Sequence, residues 1–120
     1  MARILVIDDE QSVIAAVEQA LKLAGHEVIW ASGGPQGLRR YSEDSADLVI
    51  TDMYMPGQDG IGVIVEFRKL APDLPIIAMS GNPKGDTLMI AKNLGAVGIL
   101  EKPFEIKQLL DLVEMALKGR

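Results

Sequence analysis

No cysteine occurs in the 120-residue chain, which excludes disulfides, thiolate metal sites and thiol nucleophiles. A single histidine, His26, rules out a metal centre built on paired imidazoles. It stands at a helix exit and reads as a C-terminal cap or an exposed residue. There is no excess of positive charge: twelve Lys and Arg face seventeen Asp and Glu, for a net charge of −5. Without a basic stripe the domain is not expected to bind nucleic acid directly. The densest basic groups, Arg39-Arg40 and Arg68-Lys69, read as solvated helix faces. No run approaches the roughly 20 apolar residues that span a bilayer, and acids end the first apolar stretch too early for a signal peptide. Neither Gly33-Gly34-Pro35-Gln36-Gly37 nor Gly57-Gln58-Asp59-Gly60 has the spacing of a P-loop or a dinucleotide fingerprint. The expectation is a cytoplasmic protein without membrane contact, one domain over residues 1–120. At that length it can bury roughly two thirds of its chain surface.

What is present is a repeated pattern of short apolar runs. Ile4-Leu5-Val6-Ile7, Leu48-Val49-Ile50-Thr51, Ile76-Ile77-Ala78-Met79 and Val97-Gly98-Ile99-Leu100 read as strands buried on both faces of a parallel sheet. His26–Ala31 supplies one more. Between them lie helical periods. Residues 11–24 place Ile14, Val17, Leu21 and Ala24 on one face, and Gly25 is a suitable stop. A short helix runs from the Gly33-Gly34-Pro35 turn to about Tyr41. Asp59-Gly60 opens a third with Ile61, Ile64 and Val65 inward. A fourth, about 86–94, turns Thr87, Ile90, Ala91 and Leu94 inward and leaves Leu88 and Met89 as surplus apolar residues. The last, from about Glu105, carries Ile106, Leu109, Leu110, Val113 and Leu117. Parallel strands need right-handed crossovers. Five strands alternating with five helices therefore predict an α/β fold, a single doubly wound five-stranded parallel sheet.

In such sheets ligands bind beyond the carboxyl ends of the strands. That edge is where the chain puts its chemistry: Asp8-Asp9, Asp52, Ser80 and Lys102 each follow an apolar run. Taken singly, each has a plain explanation. Asp8-Asp9 could cap a helix, Asp52 could mark a strand exit, Ser80 a strand end and Lys102 a surface position. Together they are costly, because two like charges about 4 Å apart repel by about 4 kcal/mol at an effective dielectric near 20. A resident cation removes that cost. Oxygen-only donors with no His or Cys point to a hard ion, and few carboxylates with room for water favour Mg2+. One carboxylate could then act as nucleophile toward phosphorus while Lys102 and Ser80 hold phosphoryl oxygens. Composition does not decide which carboxylate attacks.

Asp8-Asp9, Asp52 followed by Met55-Pro56 and Asp59-Gly60, Ser80, and Lys102-Pro103-Phe104 resemble the receiver domain of two-component response regulators. The resemblance runs from Arg3 to about Leu117. It implies the flavodoxin-like or CheY-like (βα)5 fold, with Asp52 as phosphoacceptor for a histidine kinase or histidine phosphotransfer protein. It further implies Mg2+ held by Asp9, Asp52 and the Tyr54 main-chain carbonyl, with Asp8 acting through water. Ser80 would be the switch hydroxyl, Lys102 the phosphate partner, and the Lys102–Pro103 bond cis. The surface formed by the fourth helix, fifth strand and fifth helix would meet an output domain, a target protein or a second copy in a phosphorylation-dependent dimer. On this reading the chain is a switch that catalyses its own phosphorylation and dephosphorylation, without turnover of an external substrate. It is either a stand-alone regulator or part of a longer protein, with Lys118-Gly119-Arg120 as the possible start of a linker.

The chain departs from the resemblance at Ile99, where the family usually carries Tyr or Phe, so coupling to the fourth-helix surface is expected to be weaker or carried by backbone shifts. Tyr54 and Asn82 flank the site where the family tunes phosphoryl lifetime, and a bulky Tyr54 would shield the acyl phosphate from water. Two other functions compete. A Mg2+-dependent aspartyl-phosphate phosphohydrolase resembling the haloacid dehalogenases would need a second Asp two residues beyond its nucleophile, where this chain has adjacent Asp8-Asp9 and no inserted cap. A flavin carrier would need a hydroxyl- and Gly-rich phosphate loop, where Asp8-Asp9-Glu10 would repel phosphate.

Overall fold

The apolar runs become five parallel strands, the three central ones buried almost throughout and the two edge strands only in part. In the computed structural model, which describes residues 1–55, 58–81 and 85–119, these are β1 (Arg3–Ile7), β2 (Glu27–Ala31), β3 (Leu48–Asp52), β4 (Ile76–Ser80) and β5 (Gly98–Glu101). Five helices connect or follow them: α1 (Gln11–Leu23), α2 (Gly34–Glu43), α3 (Gly60–Leu70), α4 (Gly85–Asn93) and α5 (Ile106–Lys118). The sheet order is β2-β1-β3-β4-β5, with every pairing parallel. This is the expected doubly wound sheet. Pro56, Gly57, Asn82, Pro83, Lys84 and Arg120 lie outside the described residues, as do the side chains of Gln58, Asp59 and 85–88, including Thr87 and Leu88.

Alternation along the strands splits the core in two. Ile4, Val6, Leu48, Ile50, Ile77 and Met79 pack with Ile14, Val17 and Leu21 of α1 and Leu109 and Val113 of α5. Leu5, Ile7, Val49, Ile76 and Ala78 face the other way, onto Val63, Ile64 and Phe67 of α3 and Ala91 of α4. The chain leaves β1 for β2 at one side and returns across β1 to β3, so the winding reverses between β1 and β3. That reversal opens a crevice at the carboxyl ends of those two strands. Asp8 and Asp52 stand there.

Several helix faces differ from their expected phase. In α3 the inward residues are Val63, Ile64 and Phe67, whereas Ile61 and Val65 are only half-buried. Gly60 sets this phase: a Cβ there would lie 2.5 Å from the Met53 carbonyl oxygen, so the first turn of α3 sits on the β3 exit with no room for a side chain. Phe67 then meets Tyr41 of α2 edge-on, ring centroids 5.7 Å apart. α1 ends before Ala24, which is exposed, and Ala20 takes its place inside; Gly25 follows with φ +93°. Ile90 and Ile106 face solvent rather than the core. α2 continues to Glu43, past Tyr41, and its Gly37 packs against the Ile7 side chain.

Two charged or polar residues do more than expected. Arg68 is not a solvated surface residue. Its guanidinium donates to the carbonyls of Leu74 (2.5 Å), Leu94 (2.8 Å), Gly95 (3.0 Å) and Pro72 (3.2 Å), which ties α3 to the end of α4 and to the loop before β4. Burial lowers its pKa, opposed by the charge of Asp73. His26 caps α1 through its main chain, its N–H donating to the Leu21 carbonyl at 3.0 Å, and in addition its Nδ1 accepts the Ala2 N–H at 3.2 Å and anchors the entry to β1. Among the described residues, no helix is long and apolar enough to cross a membrane.

Candidate phosphoacceptor site

Asp8 follows the last residue of β1, and Asp52 is the last residue of β3. The register Ile7↔Thr51 makes them neighbours across the two central strands. Both are buried, Asp8 at 0% and Asp52 at 3% exposure. Each is held by a local turn: Asp8 Oδ1 accepts the Glu10 N–H (2.9 Å), and Asp52 Oδ1 accepts the Tyr54 N–H (3.2 Å). These side-chain-to-backbone bonds fix the carboxylates where the strands give way to loops. The Asp52 loop is stiffened by a short antiparallel pairing of Tyr54–Met55 with Gln58–Asp59. Met53 and Met55 are buried beneath it, while the Tyr54 side chain is 45% exposed beside the site.

Lys102 reaches the same crevice from the far side of the sheet. Its backbone N–H donates to the Ser80 carbonyl at 2.7 Å, extending the β4–β5 ladder, and the Lys102–Pro103 bond is cis. From there its ammonium donates to Asp8 Oδ2 (2.7 Å) and Asp52 Oδ2 (3.1 Å), and lies 3.4 Å from Glu10 Oε1. Ser80 ends β4 and is fully buried. Thr51, also buried, donates its hydroxyl to the Asp52 carbonyl at 3.2 Å.

Electrostatics mark this cluster as unbalanced. Burial raises the Asp52 pKa above the ordinary carboxylate value, and the charge of Asp8 adds to the rise; the Tyr54 N–H and Lys102 oppose it. For Lys102, burial pushes the pKa down, but hydrogen bonds and attraction from Asp8 and Asp52 outweigh it and the net shift is upward. The ammonium therefore stays charged while one buried acid resists ionisation.

One carboxylate oxygen from each of Asp8, Asp9, Glu10 and Asp52 lies within 4.8 Å of the others. Four acids against one ammonium leave the pocket negative. An all-oxygen donor set, half of it open to water, fits a hard divalent ion that keeps part of its hydration, as Mg2+ does. Of the residues picked out in the sequence, Asp8, Asp9, Asp52 and Lys102 meet here, and Ser80 ends the adjacent strand. Glu10 joins them as a site residue, and its position directly after an acidic pair at the end of β1 is the sequence signal for it.

Residues 4–114 match the model of the response regulator receiver domain. The chain belongs to that family. This receiver domain is 39% identical over 118 residues to the DNA-binding transcriptional regulator NtrC of Azospirillum brasilense, covering 98% of the chain and 24% of the relative. It is 34% identical to the transcriptional regulatory protein PrrA of Mycobacterium tuberculosis, covering 98% and 51%. It thus spans a quarter to a half of the length of these curated relatives. Among solved structures it superposes on a response regulator receiver domain protein from Clostridium thermocellum with a TM-score of 0.92 at 35% identity, covering 99% of this chain and 96% of that one. The Vibrio cholerae chemotaxis protein CheY4 gives 0.92 at 29% identity, covering 98% and 99%. A phosphoacceptor regulatory role fits the acidic crevice, and Mg2+ binding and phosphorylation are typical of the family.

Proposed function

We propose that Asp52 is the phosphoacceptor of a two-component signalling switch, taking a phosphoryl group from a phosphohistidine on a histidine kinase or histidine phosphotransfer protein. The observation that carries this reading is the Lys102 ammonium bridging Asp8 and Asp52 in the crevice where the sheet reverses its winding. An Asp52 oxygen forms the bond to phosphorus as the bond from phosphorus to the imidazole nitrogen breaks, and the electron pair leaves on that nitrogen. Lys102, already charged and shared between two acids, transfers its hydrogen bonds to the phosphoryl oxygens. Ser80, at the end of the neighbouring strand, offers its hydroxyl to the same group.

Asp9, Asp52 and the Tyr54 main-chain carbonyl would hold Mg2+ directly, with Asp8 acting through water. When bound, the ion supplies positive charge that offsets the repulsion between the acids and the incoming phosphoryl oxygens. Residues 1–120 act as one receiver domain in a cytoplasmic setting. The domain promotes its own phosphorylation and dephosphorylation without turning over an external substrate. Its output runs through the α4–β5–α5 surface, where Met89, Ile90, Val97, Ile106 and Met115 are exposed apolar residues. An output domain, a target protein or a second copy binds there.

Intact mass after incubation with acetyl phosphate tests the reading. The expected result is a single phosphoryl adduct that requires Mg2+ and is absent from Asp52→Ala. An adduct that survives in Asp52→Ala, or none in the wild type, overturns it.

A further inference from the structure

Lys102 has three carboxylate partners, not two, and they form a gradient from core to solvent. Asp8 is closest at 2.7 Å and fully buried; Asp52 follows at 3.1 Å with its side chain 4% exposed; Glu10 is farthest at 3.4 Å and 59% exposed. Glu10 is also the N-cap residue of α1, yet its side chain makes no capping bond. Its main chain is fixed, with the N–H on Asp8 Oδ1 and the carbonyl accepting from Val13 and Ile14. Helix and turn therefore place the residue but leave its carboxylate free to face Lys102.

We infer that Glu10 is a positioning residue that holds the Lys102 ammonium at the mouth of the site when Asp8 and Asp52 turn to a divalent cation. This rests on the cation-binding part of the proposed function. A cation entering the acidic crevice competes with Lys102 for the two buried acids, and two positive charges cannot share them closely. Expelled fully into solvent, the lysine would have to be recaptured before phosphoryl transfer. Glu10 provides a way-station one step outward from its resting place. Its solvent exposure makes the pair weak enough to release Lys102 again when phosphoryl oxygens arrive. Asp9, the other exposed acid of the cluster, forms no ion pair with Lys102.

The alternative is that Glu10 is simply a fourth ligand to the cation, and Mg2+ titration followed by calorimetry separates the two. In the wild-type background Glu10→Gln forces Lys102 back onto Asp8 and Asp52, and Mg2+ affinity should fall about fivefold, the effect of one exposed ion pair. With Lys102→Met already in place there is no lysine to hold, so Glu10→Gln should change affinity by about twofold or less. Glu10→Asp keeps the charge but loses the reach to Lys102, and should behave like Glu10→Gln. An equal or larger loss in the Lys102→Met background overturns the inference in favour of a ligand role. So does wild-type affinity in Glu10→Asp, which shows that charge alone suffices without relying on the lysine variant. Absence of Mg2+ binding to the wild type also overturns it. None of these readouts needs Asp52 to accept phosphate, so a failed phosphoacceptor assignment is distinguishable from a failed role for Glu10.

Discussion

Replacing Asp52 by asparagine should make the metal-free domain more stable at neutral pH. At an effective dielectric near 20, the attraction between Asp52 and Lys102 at 3.1 Å amounts to about 5 kcal/mol, and repulsion by Asp8 at no more than 4.8 Å to at least about 3.5 kcal/mol. Exposed Asp9 and Glu10 add smaller, screened repulsions. The charge terms nearly cancel, which leaves the cost of keeping an ionised carboxylate out of water, several kcal/mol for a buried ion. The Tyr54 N–H offsets part of it and can still reach an asparagine oxygen. A gain of about 1–3 kcal/mol is expected, raising Tm by about 4 °C for each kcal/mol. The sign of the pH dependence follows from the raised Asp52 pKa. Between the unfolded and folded values the native state binds more protons, so wild-type stability falls as pH rises through that window. The advantage of the variant should be full above the folded value and shrink as pH drops toward about 4. Mg2+ should narrow the gap from the other side, by stabilising the wild type more than the variant. Urea unfolding followed by circular dichroism at both pH values, with and without Mg2+, provides the measurement. A variant less stable than wild type at pH 7, or a gap indifferent to pH, refutes the reasoning.

Arg68→Met should cost about 2–3 kcal/mol, because it leaves carbonyls of residues 72, 74, 94 and 95 without their charged donor; the urea midpoint should fall with the m-value unchanged. A loss under about 0.5 kcal/mol would show that water replaces the guanidinium. Gly60→Ala should destabilise by about 1–3 kcal/mol, since its Cβ would meet Met53 main-chain atoms at 2.5–2.8 Å, and should also lower the yield of phosphoryl adduct by displacing the Asp52 loop. Normal stability with normal adduct yield would refute the close packing. Tyr54→Ala should shorten the life of the phosphoryl adduct, measured by its decay in intact mass, and an unchanged decay would dismiss the side chain as a shield.

The three central strands were legible because burial on both faces removes the need for alternation, so a bare apolar run is sufficient evidence. Helix phase was less legible. From Gly60 to Phe67 all but one residue is apolar or glycine, so several inward stripes satisfy a 3.6-residue period, and contact between Gly60 and the Met53 backbone chooses among them. Ile90 and Ile106 illustrate the converse. Periodicity says which residues can share a face, but the reach of the sheet beneath decides how much of that face is covered, and these two lie beyond it. The side-chain roles of Arg68 and His26 are not legible for one reason: their partners are main-chain atoms 3 to 27 residues away, and a backbone carbonyl or N–H carries no sequence signature.

The charged site was legible for the opposite reason. Asp8, Asp52, Ser80 and Lys102 belong to four strand ends, and strand order in a doubly wound sheet fixes where strand ends meet. Ile99 shows where such reasoning reaches further than the site. It pairs with Ala78 on β4, two residues before Ser80, and packs against the core shared with Ala91 of α4. A β-branched side chain of this kind is stiff about χ1. Movement at Ser80 would then reach α4 through the β4–β5 ladder itself, where the Ser80 carbonyl already holds the Lys102 N–H. One backbone hydrogen bond thereby ties Ser80, the proposed switch hydroxyl, to Lys102, the proposed phosphate partner, and a shift at either end would displace the strand that carries Ile99.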